Sequence, residues 1–222
     1  MARISGRFSH VRNVADMRLR ARRALPRPIF DYIDGGAEDE VSRARNRGQF
    51  DRFGFVQRSA VDVSAVDTSV DLFGRRYAAP FAIGPTGLAG LAWPKAEMLL
   101  ARAARAADIP FCLSTVSSVS IEDVATQAGE GHWFQLYIFR DRGLSHDLLG
   151  RAKAAGYQVL VITVDCATGG NRERDILNDF TLPLRATHRN VFSTAMRPGW
   201  MLRMARNGPP RPENMVEAAA KA

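Results

Sequence analysis

Cysteine is scarce in this chain: Cys112 and Cys166 are its two cysteines in 222 residues. Each sits in an apolar, strand-like run with no CxxC spacing, which argues against a disulfide framework and against metal ligation. Both read as small buried hydrophobes. Long apolar stretches are missing too. No uninterrupted run reaches the roughly 18 apolar residues of a membrane span, and the start "MARISGRFSHVRN" lacks the apolar region of a secretory signal. The chain therefore reads as cytoplasmic.

Stacking aromatics do not interleave with the basic residues, although the net charge of +8 raises the question of nucleic acid. The excess is local. Arg3, Arg7, Arg12, Arg18, Arg20, Arg22, Arg23 and Arg27 face one acid in residues 1–27, and six arginines face one in 183–215. A solvated helix face explains the first group better than a nucleic-acid groove, so no nucleic-acid partner is expected. A transit peptide is disfavoured because "NVADMRLRARRALP" already carries helical periodicity. With 46% hydrophobic and 24% charged residues, the composition supports a sizeable core.

Chemical signatures are absent as well. No GxGxxG or GxxxxGK[ST] follows a strand, no GxSxG elbow occurs, and His10, His132, His146 and His188 are scattered without metal spacing. No metal is expected. His132, just before a strand and on the side away from strand C-termini, reads as a surface residue.

What is present is a rhythm. Residues 13–24 read as a helix capped by Asn13, "PIFDYID" as a short helix led by Pro28, and "EDEVSRARNRGQF" as a third whose three carboxylates favour its positive end. "TSVDLFGRRYAAPF" reads as a hairpin turning at Gly74. Four apolar runs of strand length follow: "PFAIGPT" (80–86), "PFCLST" (110–115), "WFQLYI" (133–138) and "QVLVITVDC" (158–166). Amphipathic helices lie between them at 94–108, 120–129 and 142–156, with a capped start at Ser120 and a stop at Gly156.

Strands buried on both faces and alternating with helices form parallel βαβ units. Each strand ends in polar, hydrogen-bonding residues, the active-face pattern of a (β/α)₈ barrel. A doubly wound sheet is the other architecture, weakened by the missing nucleotide motifs; the fold class expected is α/β, a TIM barrel with an N-terminal extension and about four βα units, against about 250 residues for a typical whole barrel. The expected organisation is a helical extension with a short hairpin over 1–75, the first half of the barrel over 76–183, and a long loop or insertion with a tail over 184–222.

The strand ends offer Thr86, Ser114, Gln135, Tyr137, Thr163 and Asp165, neutral donors and acceptors with one phenol and one carboxylate. Such a set suits a flat, heteroatom-rich cofactor. Blander readings stand beside this one: Ser114, Gln135 and Thr163 as satisfied core polars, Asp165 as a turn cap, Tyr32 as a core residue with its hydroxyl at the surface.

In order and spacing, "DYIDGGAEDE", "NRGQFDRFGF", "PFAIGPTGLAGLAWPKAE", "LSTVSSVSIEDVA", "WFQLYIFRDR" and "LVITVDCATGGNRERDILNDF" resemble the FMN-dependent 2-hydroxy-acid dehydrogenases and oxidases. "GPTGLAGLAWPK" and "GGNRERD" resemble the mandelate and lactate dehydrogenases most. The resemblance implies FMN as cofactor and an (S)-2-hydroxy acid oxidised to its 2-oxo acid, with quinone, another carrier or oxygen as electron acceptor. It implies that Pro85, Thr86 and Gly87 meet the flavin's N5 edge and that Ser114, Gln135 and Thr163 hydrogen-bond its ring. Tyr32 and Arg172 would hold the substrate carboxylate, Tyr137 would bond near the substrate oxygen, and Asp165 would orient a catalytic histidine. Arg174 would be an outer, ion-paired residue. A homo-oligomer, tetrameric in the family, is also implied.

The chain departs from the family in three respects. No S-N-H-G-x-R motif, flavin-binding lysine or D-G-G-x-R phosphate motif occurs; Lys95, Lys153 and Lys221 are the lysines present. A fragment holding the N-terminal half of such an enzyme is therefore expected, inactive by itself. The alternative is a non-catalytic remnant that binds a partner through an exposed sheet edge; a sugar-phosphate barrel enzyme is a third reading. The stretch 184–215, too long for an ordinary connection and mixing Phe192, Trp200 and methionines with arginines, reads as a membrane-associated insertion or as an active-site lid.

Overall fold

A computed structural model of the chain describes residues 11–165, 168–181 and 187–219. Cys166, the arginines before position 11 and the start of the 184–215 stretch lie outside the described residues. The chain packs as two compact units, Met1–Gly54 with Gly170–Gly208, and Phe55–Gly169 with Pro209–Ala222. These units cut across the sequence-based divisions at 75 and 183.

The first unit is helical. Helix α1, Val14–Ala24, starts where the Asn13 side chain accepts from the Asp16 amide, and ends before Pro26. Helix α2, Arg27–Asp34, has proline in its first turn and buries Pro28, Ile29, Phe30 and Asp31. Helix α3, Val41–Gly48, corrects one expectation: Glu38, Asp39 and Glu40 precede it, and its first turn holds no acid. Glu40 instead adopts a left-handed conformation and turns its carboxylate back to the Gly36 amide at 3.0 Å. The carboxylate thus takes a local backbone donor at the N-cap of the helix.

Residues from 188 onward correct another. The segment read as a long loop carries helices, α8 at His188–Ala195 and α9 at Pro198–Asn207, after the short α7 at Glu173–Leu177. Local signals explain them: Thr187 and Asn190 form a reciprocal capping box, and Pro198 opens α9. The span between the flanking elements was legible as long, while these caps within it went unread.

The second unit holds an antiparallel hairpin and a parallel sheet. Strands β1 (Val70–Leu72) and β2 (Arg75–Tyr77) pair around Gly74, whose φ of +78° suits glycine, so the expected hairpin is present. Strands β3 (Cys112–Leu113), β4 (Trp133–Tyr137) and β5 (Val159–Thr163) form a parallel sheet in that order. The run "PFAIGPT" joins it only at a single parallel bridge, Ile83 to Phe111, with Cys112 donating to the Ile83 carbonyl at 2.9 Å. Pro80 and Pro85 bracket the run and lack amide donors, which limits its pairing.

Helices α4 (Ala96–Ala106), α5 (Ile121–Ala128) and α6 (Arg142–Ala154) alternate with these strands. The core gathers Met98, Ala101, Leu113, Ile121, Val124, Phe134, Leu136 and Leu148. Ser120 caps α5 by accepting from Asp123, as its sequence predicts. Burial on both faces holds for β4, whereas β5 alternates and leaves Leu160 and Ile162 about half exposed. Helix α10, Glu213–Ala219, returns to this unit, where the Asn214 side chain accepts from the Ile121 amide at 2.9 Å.

His132 contradicts its surface reading. It is 5% exposed, with its ring set edge-on to Phe111 and tilted against Tyr157. The residue precedes the strand, but the Ala128–Gly131 turn folds it inward: its position on the chain said nothing of that turn. Burial, reinforced by Arg105 and Arg75, holds its pKa below the ordinary imidazole value. Cys112 is a free, buried thiol, and burial pushes its pKa up to about 12, in keeping with an inert hydrophobe.

Candidate functional site

The parallel register sets the flavin-side candidates. Gln135 pairs with Val161 and Tyr137 with Thr163, so adjacent strands end nearly level. Ser114, directly after β3, is 3% exposed and donates its hydroxyl to Gln135 Oε1 at 3.3 Å. The Thr115 amide reaches the same oxygen at 3.2 Å, while Gln135 Nε2 donates to Thr163 Oγ1 at 2.8 Å. A chain of neutral hydrogen bonds thus runs Ser114, Gln135, Thr163 across three neighbouring strand ends.

These bonds fix which end of the Gln135 amide points where, because its oxygen takes two donors and its nitrogen gives one. Thr163 accepts from Gln135, which leaves its own hydrogen to donate onward. Among the six strand-end candidates this network joins Ser114, Gln135 and Thr163. Tyr137 is linked through its backbone, donating its amide to Thr115 Oγ1 at 3.2 Å, and is half-buried. Asp165, past the end of β5, is exposed.

The turn Pro85, Thr86, Gly87 follows the Ile83 bridge, with Pro85 and Thr86 exposed. Gly87 is required by packing: a Cβ there would stand 2.5 Å from Val116 Cγ2. Next to it the Leu88 amide donates to the Val116 carbonyl at 2.9 Å, with Leu88 in the left-handed region at φ +51°. The backbone of this turn is therefore pinned to the loop after β3.

Two residues here escaped the sequence reading. Thr115 is fully buried and donates to the Gln135 carbonyl at 2.6 Å while accepting from Tyr137. Glu97 is a buried carboxylate bound to Ser118. An unbroken "STVSS" after a strand was the available signal for Thr115. Glu97 gave none, since "PKAEMLL" reads as an ordinary helix start.

In the first unit, Tyr32 and Arg172, which the resemblance assigns to one substrate carboxylate, lie in contact. The Arg172 guanidinium lies over the Tyr32 ring at 5.2 Å, donates to the Tyr32 carbonyl, and pairs through Nε with Asp175 at 2.6 Å. Phe180 stacks on Tyr32, with ring centroids 4.6 Å apart at 19°. Nε and one terminal nitrogen are thus engaged by the protein, and the planar fork keeps further donors for a carboxylate.

Arg174 is ion-paired, as expected. It bonds Asp34 at 3.2 Å and Glu40 at 2.7 Å. Asp34 also meets Arg18 at 2.5 Å and Arg43 at 3.3 Å. The Arg18 hydrogen bond, assisted by the other guanidiniums, holds the Asp34 carboxyl below its usual pKa. For Glu40 the Gly36 amide is the main cause of a similar lowering.

The later helices carry exposed apolar side chains, Val191 and Phe192 on α8 and Leu202 on α9, while Trp200 is buried. Among the described residues, no helix is long and apolar enough to cross a membrane.

The chain is similar to known proteins over most of its length. The sequence profile of a family described as FMN-dependent dehydrogenase matches residues 21–222. (S)-Mandelate dehydrogenase of Pseudomonas putida is 41% identical over 206 residues, covering 93% of this chain and 52% of that protein. L-Lactate dehydrogenase of Caulobacter vibrioides is 44% identical over 213 residues, covering 96% and 55% respectively. A crystal structure of a monotopic membrane protein, (S)-mandelate dehydrogenase, superposes with a TM-score of 0.86 at 38% identity, covering 94% of this chain and 59% of that one. The chain spans about half the length of the curated relatives it matches.

Proposed function

The chain belongs to the FMN-dependent dehydrogenase family, and from that premise we propose that it supplies the flavin-ring and carboxylate-holding residues of an enzyme that oxidises an (S)-2-hydroxy acid, of the lactate or mandelate kind, to the 2-oxo acid. The observation that carries the reading is the bonded series Ser114, Gln135, Thr163 at adjacent strand ends. Its polar atoms alternate donor and acceptor, as the edge of an isoalloxazine ring requires.

FMN, when bound, supplies the acceptor for the two electrons that leave the substrate carbon. Within the chain, Gln135 and Thr163 present donors to the ring, and Pro85, Thr86 and Gly87 lay backbone against it. Arg172 grips the substrate carboxylate through its remaining donors, a charge-assisted bond that orients the acid. Tyr32 shapes that grip, because its ring and carbonyl hold the guanidinium in place. Tyr137 bonds near the substrate oxygen, and Asp165 orients a proton-accepting histidine. No S-N-H-G-x-R motif occurs in these 222 residues, and the base is not assigned to any of them.

The exposed apolar residues of α8 and α9, set among arginines, further support a peripheral contact with a membrane surface. The relative whose structure is monotopic favours this over a lid.

Titration of the purified chain with FMN, followed by flavin fluorescence, and then with (S)-lactate and (S)-mandelate, tests the reading. FMN is expected to bind, and Arg172→Met to weaken acid binding by about tenfold or more, the scale of one charge-assisted bond, with FMN affinity unchanged. Failure to bind FMN, or acid binding indifferent to Arg172, would overturn it.

A further inference from the structure

Glu97 is a carboxylate with 2% exposure in the first turn of α4. Burying such a group is costly unless it is bonded or paired. Among the described residues no arginine, lysine or histidine forms an ion pair with it. Its hydrogen bonds go instead to one residue: the Ser118 amide donates to Oε1 at 2.9 Å, and the Ser118 hydroxyl lies 3.0 Å from Oε1 and 2.8 Å from Oε2. A core that needed only filling would hold an apolar side chain here.

Ser118 belongs to the loop that follows Ser114, and that loop touches the 85–91 segment at two glycines. A Cβ on Gly90 would stand 2.3 Å from Ser118 Oγ and 2.9 Å from its Cβ; one on Gly87 would meet Val116 Cγ2 at 2.5 Å. Between them the Leu88 amide donates to the Val116 carbonyl. The two segments are thus fitted backbone against side chain, at a spacing of three residues. Ser118 packs directly on Gly90, two residues from the bonded Leu88 amide and three from Gly87. The same loop is held at Ser117, whose carbonyl accepts from the Glu213 amide at 3.1 Å.

We propose that Glu97 is a positioning residue for the FMN-binding turn Pro85, Thr86, Gly87, acting through Ser118 and Val116. The proposal rests on the reading that this turn lies against the flavin. Glu97 itself performs no chemistry. It fixes where the Ser118 side chain sits, and the glycine contacts carry that position to the turn.

The test is residue-resolved amide exchange by NMR on the full chain without FMN, followed by FMN titration. Glu97→Ala is expected to speed exchange at Leu88 by about tenfold, equivalent to losing one to two hydrogen bonds, with β4 amides unchanged. FMN affinity should fall by a similar factor. Glu97→Gln keeps an acceptor for the Ser118 amide and should restore both quantities to within about threefold of wild type. Glu122→Ala, which breaks the Arg151 ion pair on α5, should leave Leu88 unchanged and serves as the control.

Unaltered Leu88 exchange in Glu97→Ala, or equal acceleration throughout β4 and β5, overturns the proposal. Should that variant fail to fold, Ser118→Ala decides: about threefold faster exchange confined to Leu88 and its neighbours supports the clamp, and no change refutes it. A wild-type chain that binds no FMN would defeat the functional reading above, while exchange at Leu88 would still decide whether Glu97 sets the turn.

Discussion

At the strand ends of the second unit, Ser114, Gln135 and Thr163 are joined by uncharged hydrogen bonds, with Ser114 and Gln135 buried and Thr163 half-buried. In the first unit, Asp31, Asp34 and Glu40 meet Arg18, Arg27, Arg43 and Arg174 in a half-exposed ionic lattice, and Arg172 pairs with Asp175. The difference follows from what each region is proposed to hold. A neutral ring system needs fixed donors and acceptors in a dry setting, where each bond keeps its direction. A carboxylate needs a cation, and a guanidinium near other acids keeps its place only when it is over-determined by partners.

The two regions should therefore break differently. Gln135→Leu removes the acceptor for Ser114 and Thr115 and the donor for Thr163, leaving buried polar groups unpaired; we expect a loss of about 3 kcal/mol in urea unfolding, nearly independent of salt. Asp34→Ala should cost less, about 1–2 kcal/mol, because its arginine partners remain partly solvated. That loss should shrink in high salt, which the first loss should not.

Acid sharpens the same contrast. The folded-state pKa values of Asp34 and Glu40 are lowered, so their contribution is complete above the unfolded carboxylate value of about 4 and disappears as the pH falls through the folded values. Urea midpoints recorded from pH 7 downward should drop in that window for wild type and drop less for Asp34→Ala.

In the second unit His132 is a buried titratable group, enclosed by Phe111 and Tyr157, bonded toward the Ala128 and Gly129 backbone, and facing Arg105 and Arg75. Its folded pKa is depressed. Its contribution is therefore complete above the unfolded imidazole value of about 6.5 and declines below it until the folded ring itself protonates. His132→Phe should flatten stability between pH 7 and the carboxylate range, a smaller effect than either substitution above. Smallest of all is Ser114→Ala, about 0.5–1 kcal/mol, because its bonds are long at 3.3 Å and Thr115 still satisfies the Gln135 oxygen.

Much of this is legible in the sequence. Alternating apolar runs and amphipathic helices announced parallel βαβ units, and Asn13, Ser120 and Gly74 marked boundaries because capping and turn geometry act over a few residues. Tyr32 and Arg172, far apart in sequence, were joined only through motif resemblance, since no local rule brings residues 32 and 172 together. His132, Glu97 and Thr115 were misjudged or missed for a common reason: burial is decided by the turn or loop that folds over a residue, and periodicity does not report it. The helices after position 187 were hidden by the length of the connection, though Thr187, Asn190 and Pro198 carried their caps.

What decides the role of these strand ends is whether they receive a flavin. An FMN titration of the ¹⁵N-labelled chain, followed by NMR, tests this most directly. The expected result is saturable shifts concentrated at the amides of Gly87, Leu88, Ser114 and Thr163 and at the Gln135 side-chain amide, abolished in Gln135→Leu. Absence of saturable shifts, or shifts confined to α8 and α9, would contradict it.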